Sequence, residues 1–503
     1  MSATGSGAHF LRARRLGVDT HSEAVIFLHK ECPVCRAEGF EAHTRVLLRA
    51  NGKHVIATLY QVIGNLVDAC DAALSEEAWL RLDLKEGQDL SVSHAEPIES
   101  LSLVRSRIFG HRLAGNSMYA IIRDIADSRY SNVEIGAFLT ACAAKPLSPE
   151  EVFSLTRAMV SVGDRLSWDA DIVVDKHSVG GLPGNRTTPI IVSIVTALGL
   201  TMPKTSSRAI TSPAGTADTM EVLAPIELDT KAIHRVVEQE GGCIVWGGAV
   251  RLSPADDILI RVERALEIDT EGQMVASVLS KKIAAGATHL VLDMPVGPTA
   301  KVRTREAAAA LMQSLLHVSE GFGIKAQVIV TDGEQPVGRG IGPALEAFDV
   351  LSVLKNEADA PADLRKRAVS LAGSLLELAG AAKQHAGASL AAQVLADGRA
   401  WTKFQRICTA QGGMRVPKLA EHRHDLPATR SGRLGAIDNR RIARLAKLAG
   451  APEGKGAGVR LHVHLADDVV AGQPLCTVYA EAPGELEYAL AYARTNPDIF
   501  VIS

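Results

Sequence analysis

Residues 174–189 combine a lysine, several hydroxyl side chains and glycines, as oxyanion-binding loops do. Lys176 supplies a full positive charge, and Ser178 and the threonines that follow supply hydroxyl donors. Glycine lets the backbone approach a ligand closely, and the segment contains three: Gly180, Gly181 and Gly184. The spacing is not that of a Walker loop, so chemistry on a magnesium–nucleoside triphosphate is not predicted. A tight turn whose glycines serve only packing is the alternative interpretation.

A short buried strand over residues 172–174 precedes this segment, and an apolar helix over residues 189–198 follows it. Thr188 is the predicted N-cap and Pro189 the predicted first helical residue, so free backbone N–H groups and the positive end of a helix dipole lie together. A strand, a glycine-rich loop and a helix in this order are typical of an open α/β sheet, which binds its ligands beyond the carboxyl ends of the strands.

A second polar segment, residues 204–218, follows one helix later. It contains Lys204, Arg208 and many hydroxyl side chains, with little apolar periodicity. If this segment ends a neighbouring strand, it lies at the same edge of the sheet as the first one. A solvated loop is the alternative. Together the two segments predict a cradle for an oxyanion.

The remaining elements change in character along the chain. Residues 16–95 are strand-rich, and Asn51-Gly52 between two strand-like runs predicts a type I′ hairpin. Residues 97–167 have helical periodicity, and Ser148-Pro149 begins one helix with a capping box. The sequence therefore predicts a small β-rich domain, a helical segment and an α/β domain in chain order.

Composition narrows the class of partner. The chain has 503 residues, of which 47% are hydrophobic, with 54 Lys and Arg against 57 Asp and Glu, for a formal net charge of −3. A charge so close to neutral gives no electrostatic footprint for nucleic acid or an acidic membrane surface. The longest apolar stretch is too short for a membrane span, and seven cysteines do not suggest a disulfide scaffold. We therefore expect a cytoplasmic protein that binds neither nucleic acid nor membrane.

Three motifs resemble those of the thymidine and pyrimidine-nucleoside phosphorylase family, in particular its type 2 subgroup, which includes archaeal AMP phosphorylase. They occupy residues 175–181, 206–223 and 277–282, and the resemblance extends from about residue 16 to the C-terminus. The resemblance implies the following division: a β-rich N-terminal domain over residues 1–95 that serves assembly, a helical domain over 96–168 and 254–284, and an α/β phosphate-binding domain over 169–253 and 285–503, with 425–503 as a barrel-like hammerhead subdomain.

The activity that the resemblance implies is that of a pentosyltransferase. Inorganic phosphate, as a co-substrate, would cleave the N-glycosidic bond of a nucleoside or a nucleoside 5′-monophosphate. The products would be a free base and (deoxy)ribose 1-phosphate or ribose 1,5-bisphosphate. No metal and no cofactor are implied, and the chain is expected to form a homo-oligomer, a dimer or larger.

Site residues follow by matching positions to the family motifs. The phosphate-binding residues would be Lys176, Ser178, Ser206 and Thr216. His177 would lie beside the base, and Asp269 would donate a proton to it. A positioned general acid contributes on the order of 100- to 10,000-fold in rate.

Further positions match the family's contacts to the sugar and the base. These nucleoside- or nucleotide-binding residues would be Gly181, Ser207, Arg208, Ala209, Ile210, Thr211, Ser212, Ser277, Lys281 and Lys301. The arginine that reads the pyrimidine ring in the family has no match, because Val262 occupies its place. We add Arg186, whose guanidinium fork suits a terminal phosphate. With Arg186 and Lys301 as two cations for a second phosphate, we expect a 5′-nucleotide to be a better substrate than thymidine.

Two functions from other classes remain as alternatives. The glycine-rich run from Gly338 to Gly342 favours a nucleotide-binding oxidoreductase, although it lacks the full dinucleotide spacing. Cys32 and Cys35 have the spacing of a zinc site and favour a non-catalytic, zinc-stabilised binding protein. A structural zinc usually needs two more ligands, and the sequence has no second pair at that spacing.

Overall fold

The computed structural model describes residues 10–20, 23–209, 212–268 and 270–503. The chain forms two compact units, and the division falls after Lys145, Asp257 and Ile268, so that the first unit includes Ile258–Ile268. No helix in the described ranges is both long and apolar enough to cross a membrane.

The first unit begins with a β-rich domain, as predicted. Its elements are β1 (Phe10–Arg15), β2 (Val25–His29), α1 (Pro33–Glu38), β3 (Arg45–Ala50), β4 (Lys53–Val62), β5 (Asp71–Leu74), α2 (Glu76–Leu82) and β6 (Asp89–His94). The six strands close into a barrel in the order β1-β5-β2-β4-β3-β6. Strands β3 and β4 pair antiparallel, and Asn51 and Gly52 between them have φ angles of 54° and 70°, which confirms the predicted hairpin.

Helices follow the barrel, as the change of periodicity predicts. They are α3 (Leu101–Ile108), α4 (Gly115–Ala126), α5 (Asn132–Ala144) and α6 (Pro149–Ser161). Ser148 begins α6 with the predicted capping box. The first three belong to the first unit and α6 to the second, where Val152 and Val160 of α6 pack into a hydrophobic core with Val275 and Leu279.

The second unit contains the α/β domain. After α6 its elements are β7 (Val174–Ser178), α7 (Thr188–Ala197), β8 (Met202–Ser206), α8 (Thr216–Glu221), α9 (Thr230–Glu240), β9 (Gly242–Trp246), α10 (Pro254–Leu266, partly in the first unit), α11 (Glu271–Ala284), β10 (His289–Val296), α12 (Arg305–Gly321), β11 (Lys325–Asp332), β12 (Gly340–Ile341), α13 (Pro343–Leu354), α14 (Ala362–Leu378), α15 (Gly387–Ala396) and α16 (Arg399–Ala410).

Parallel strands place the carboxyl ends of β7, β8 and β10 at one edge. Strand β10 pairs in parallel with both β7 and β11, and β8 pairs in parallel with β9. A parallel bridge from Val173 to Thr201 connects the two groups of strands. Helix α7 is buried along nearly its whole length because its apolar residues fill the core beneath the sheet.

The C-terminal part consists of two small sheets with two helices. Its elements are β13 (His422–Pro427), β14 (Gly432–Ile437), α17 (Asn439–Leu448), β15 (Gly458–Leu461), β16 (Asp468–Val469), β17 (Pro474–Ala480), α18 (Pro483–Thr495) and β18 (Phe500–Ile502). One sheet has the order β12-β15-β17-β13 and the other β16-β14-β18.

Candidate active site

Lys176 is the centre of the first predicted loop, and its side chain is only 1% exposed. Its Nζ donates to Ser178 Oγ at 2.5 Å and to Thr187 Oγ1 at 2.7 Å, and lies 3.9 Å from Asp293 Oδ2. Burial lowers the lysine's pKa to about 8, although the Asp293 carboxylate favours the charged form. A buried ammonium group framed by hydroxyls at the carboxyl end of a strand is suited to bind an oxyanion.

The strand predicted over residues 172–174 lies later in the chain, because β7 begins at Val174. Strand β7 continues through Ser178, so Lys176, His177 and Ser178 lie on the strand and not in the loop. The polar residues interrupt the apolar run, but buried ion pairs satisfy them and the ladder to β10 continues. The helix also begins one residue early, because Thr187 and not Thr188 is the N-cap of α7.

The second loop supplies two of the predicted phosphate residues. Ser206 ends β8 and is 8% exposed, and its buried Oγ has no hydrogen-bond partner within the described ranges. A buried hydroxyl without a partner is costly, so such a group favours a ligand position. Thr216 is the first residue of α8, and its Oγ1 accepts a hydrogen bond from Arg186 Nη1 at 2.9 Å.

Glycines bring the two loops and Lys301 together. Gly180 has a φ of +82°, and a Cβ added there would lie 2.7 Å from the Cβ of Lys301. A Cβ on Gly181 would lie 3.2 Å from that of Ser212. The first loop therefore passes close to both Ser212 and Lys301, and only glycine fits at position 180 without a shift. Gly181, Ser212 and Lys301, three of the predicted nucleoside residues, thus lie beside one another.

The prediction for Arg186 requires a correction. Its side chain is buried rather than open to a ligand, and its Nε donates to Glu346 Oε2 at 2.6 Å. Nη1 donates to Thr216 and Nη2 to the carbonyl oxygen of Ala214 at 2.8 Å. Because protein acceptors occupy the guanidinium fork, Arg186 is suited to position the second loop and not to bind a terminal phosphate.

Arg208 is likewise engaged by protein groups. It donates to both carboxylate oxygens of Glu221 at 2.9 Å and to Glu227 at 2.9 Å, and its guanidinium lies 5.0 Å from the centre of a Trp246 ring. The Glu221 hydrogen bond is the main cause of its raised pKa. Arg208 therefore anchors the loop, whereas sequence matching predicts a nucleoside contact.

Asp218 fixes the backbone of the same loop. Its Oδ2 accepts hydrogen bonds from the N–H groups of Ala209, at 2.6 Å, and Gly215, at 2.8 Å. The carbonyl oxygen of Ser207 accepts one from the N–H of Ala217. Three residues predicted for the site, Ile210, Thr211 and Asp269, lie outside the described residues.

His177 lies next to a cluster of lysines. Burial is the largest cause of a pKa well below the ordinary value of 6.5, and Lys282 and Lys204 lower it further. Both lysines contact the buried Asp175, with Nζ–Oδ distances of 3.0 Å for Lys204 and 2.8 Å for Lys282. The imidazole is therefore neutral at pH 7 and can donate one hydrogen bond and accept another.

Ser277 and Lys281 lie one turn apart on α11 and contact one carboxylate. Ser277 Oγ donates to Asp256 Oδ2 at 3.0 Å, and Lys281 Nζ lies 2.5 Å from the same oxygen. The charge of Lys281 also contributes to the lowered pKa of His177. The two residues predicted for the base are thus held together by Asp256. Val262, which occupies the place of the family's pyrimidine-reading arginine, is buried and belongs to the first unit.

In the part of the chain that the structure describes, neither alternative function gains a site. The N–H groups of Arg339 and Gly340 both donate to Asp349 Oδ2 at 2.7 Å, so protein acceptors occupy the donors that a dinucleotide phosphate would need. Cys32 and Cys35 are buried free thiols at the start of α1. Within the described ranges, no three His, Cys, Asp or Glu side chains are grouped as metal ligands.

Several residues of the site were not predicted. They are three almost completely buried aspartates. Asp256 contacts Lys281 and Asp293 contacts Ser178, both predicted site residues, whereas Asp175 contacts Lys282, a lysine beside the site. One signal was available, since Asp293 is the single charged residue in the apolar run of β10 after His289. The partners of Asp175 and Asp256 are distant in sequence, and only the fold brings them together.

We expect Ser206→Ala to weaken phosphate binding without destabilising the fold. A lost hydrogen bond to a charged ligand costs about 1.5–3 kcal/mol, which is about a tenfold to hundredfold rise in the KM for phosphate. Because Ser206 Oγ has no partner in the described structure, the urea midpoint should stay the same or rise. Ser193→Ala on α7, which removes a buried hydroxyl bonded to the Pro189 carbonyl oxygen, is the control and should leave the KM unchanged. An unchanged KM for Ser206→Ala would contradict the assignment.

Family models match three separate parts of the chain. The model of the a/b domain of a glycosyl transferase family matches residues 170–401 of this chain. The model of the helical bundle domain of the same family matches residues 101–163. The model of a pyrimidine nucleoside phosphorylase C-terminal domain matches residues 434–499.

Curated relatives match over the whole length. The "Putative thymidine phosphorylase" of Chelativorans sp. (strain BNC1) is 58% identical over 503 residues, which cover 100% of this chain and 99% of the relative. "Putative thymidine phosphorylase 2" of Acidovorax sp. (strain JS42) is 57% identical over 500 residues, 99% of this chain and 98% of the relative. Among solved structures, anthranilate phosphoribosyltransferase from Thermus thermophilus is similar in fold, with a TM-score of 0.51, 22% identity, and coverage of 61% of this chain and 98% of that one.

Proposed function

The chain belongs to the thymidine phosphorylase family and is a pentosyltransferase, and we propose that it uses inorganic phosphate to cleave the N-glycosidic bond of a pyrimidine nucleoside. The observation that carries this proposal is the buried Lys176 ammonium, framed by the hydroxyls of Ser178 and Thr187. Ser206, whose hydroxyl has no hydrogen-bond partner among the described residues, and Thr216 complete the proposed phosphate site.

In the proposed reaction a phosphate oxygen bonds to C1′ of the sugar as the C1′–N bond breaks. The electron pair of the broken bond leaves with the base. The sugar passes through an oxocarbenium-like state, whose positive charge is stabilised by the adjacent phosphate dianion. Lys176 and the surrounding hydroxyls would hold that dianion in position before the reaction, which lowers both the entropic and the electrostatic part of the activation barrier.

The leaving base gathers negative charge, and two groups are proposed to stabilise it. A neutral His177 would donate a hydrogen bond to a carbonyl oxygen of the pyrimidine, and it is not an imidazolium acid because its pKa is well below 6.5. Ser277 and Lys281, held by Asp256, would contact the base at its other polar edge. Asp269 remains the proposed proton donor.

We propose that the preferred substrate lacks a 5′-phosphate. The sequence predicts Arg186 and Lys301 as the two cations for such a group, but Glu346, Thr216 and Ala214 accept the hydrogen bonds of the Arg186 guanidinium. The relatives named thymidine phosphorylase support the same substrate class. A nucleoside 5′-monophosphate is therefore the alternative that a substrate panel decides.

We expect base release to require inorganic phosphate and to persist in a chelator. The experiment incubates the protein with thymidine, uridine, UMP, CMP or AMP, with and without phosphate, and measures free base by chromatography. Thymidine or uridine should give the highest kcat/KM. Base release in phosphate-free buffer would indicate a hydrolase, loss of activity in chelator would indicate a metal, and faster turnover of a nucleotide would overturn the substrate proposal.

A further inference from the structure

Asp293 is a fully buried carboxylate in the middle strand of the sheet. It lies on β10 directly opposite Ser178 of β7 in the parallel ladder, and its side chain is 0% exposed. Its neighbours along the strand, Leu292 and Met294, are also fully buried and apolar. A charged residue in such a place is stabilised only by specific partners, so those partners indicate its role.

Two residues of the proposed phosphate site, together with Asn185 from the loop after β7, converge on one oxygen of Asp293. Oδ2 accepts hydrogen bonds from Ser178 Oγ at 2.8 Å and Asn185 Nδ2 at 2.9 Å, and Lys176 Nζ lies 3.9 Å away. The other oxygen, Oδ1, accepts from Thr331 Oγ1 at 2.6 Å. The carboxylate thus contacts protein donors on both oxygens and is closed to solvent.

We propose that Asp293 is a positioning residue, whose carboxylate holds Lys176 and Ser178 in the geometry that receives phosphate. This inference rests on the proposed function. The hydroxyl of Ser178 accepts a hydrogen bond from Lys176 and donates one to Asp293, so the carboxylate fixes the direction of both side chains. Without it, the lysine and the serine would have to be ordered by phosphate itself, at a cost in affinity.

The charge of Asp293 also keeps Lys176 protonated. Burial, Arg186 and Arg367 disfavour the ammonium form of Lys176, whereas Asp293 and Asp175 favour it. The balance leaves a lysine pKa of about 8. Neutralising Asp293 removes the larger of the two favourable charges, so Lys176 would lose its proton at a lower pH.

The pH dependence of phosphate binding follows from this balance. Phosphate binding requires charged Lys176, so the KM for phosphate rises as the pH increases through the pKa of the lysine. In Asp293→Asn, which keeps the side-chain shape but removes the charge, that rise should begin at lower pH. A residue with a purely structural role would not move this limb of the profile.

The experiment measures kcat, the KM for phosphate and the KM for nucleoside from about pH 6 to 9 in the full-length protein. We expect Asp293→Asn to raise the KM for phosphate at pH 7 about tenfold or more, to leave the KM for nucleoside within about twofold, and to shift the alkaline limb to lower pH. Thr331→Val is the matched control, because it removes the partner of the other oxygen only, and its profile should be that of wild type.

Two outcomes would overturn the inference. One is an unchanged KM for phosphate in Asp293→Asn, and the other is an equal change in both KM values with an unmoved alkaline limb. If Asp293→Asn does not fold, Asp293→Glu retains the charge but displaces the acceptor of Ser178, so its KM for phosphate should rise with an unmoved limb. An unchanged KM for phosphate in Asp293→Glu would also contradict the positioning role of Asp293. Wild-type base release that needs no phosphate would instead contradict the proposed function.

Discussion

Replacing Lys176 with methionine should lower kcat/KM for phosphate by at least about a hundredfold, because it removes the buried positive charge between the hydroxyls of Ser178 and Thr187. Methionine fills most of the volume of the lysine, so the core around β7 keeps its packing. A lost contact between an ammonium group and a bound oxyanion costs about 1.5–3 kcal/mol, and misplacement of the dianion adds to the loss in the transition state. Initial rates over a range of phosphate concentrations measure the effect.

The matched control for this variant is Lys403→Met. Lys403 lies on α16 in the same unit, and its Nζ also contacts a buried carboxylate, that of Glu240 at 3.1 Å. Its loss should leave the phosphate dependence at the wild-type value. If Lys176→Met retains the wild-type KM for phosphate and kcat, the phosphate lies elsewhere in the molecule and the proposed site is wrong.

Asp175→Asn should destabilise the second unit by about 3–5 kcal/mol, because it leaves two buried lysines without their counter-charge. Lys204 and Lys282 lie 3.0 and 2.8 Å from the two oxygens of Asp175, and all three residues are almost completely buried. Burial opposes the charge of the Asp175 carboxylate, but the two lysines outweigh it and hold its pKa below the ordinary 3.8. The midpoint of urea unfolding, followed by circular dichroism, measures the change.

The pH dependence of this loss has a defined sign. A carboxyl whose pKa is lowered in the folded state stabilises the fold above its unfolded pKa, and that contribution disappears as the pH falls through the folded value. The difference between wild type and Asp175→Asn should therefore persist between about pH 5 and 7 and shrink below about pH 4. Asp397→Asn, which breaks an exposed pair with Arg399, is the control and should leave the midpoint unchanged. A difference that grows in acid would contradict the role of Asp175.

Local sequence patterns are sufficient to predict those elements whose backbone hydrogen bonds are made by residues close in sequence. The hairpin at Asn51-Gly52 and the capping box at Ser148 depend on neighbouring residues only, and the structure confirms both. The order of a β-rich domain, helices and an α/β domain was also predicted, because a periodicity of about two or 3.6 residues is a property of the local sequence.

The family motifs likewise identified the two loops that now lie together. Gly180 lies close to Lys301 and Gly181 close to Ser212, and Lys176 and Ser178 contact each other as expected of a common site. What those motifs could not distinguish is a side chain that binds a ligand from one that holds the loop. Arg186 and Arg208 have the charge of ligand-binding residues, yet both are satisfied by carboxylates of the protein.

The sequence by itself determined the class of this protein, the order of its domains and the two segments that build the candidate site, because these are written in contiguous motifs. The tertiary structure alone decided which charges are paired. Asp293 lies 115 residues after Ser178, and Glu346 lies 160 residues after Arg186. Glu346 belongs to helix α13, which lies outside the three family motifs. The reason is physical: a buried charge must be neutralised by whichever partner the fold places within a few ångströms, and sequence separation carries no information about that distance.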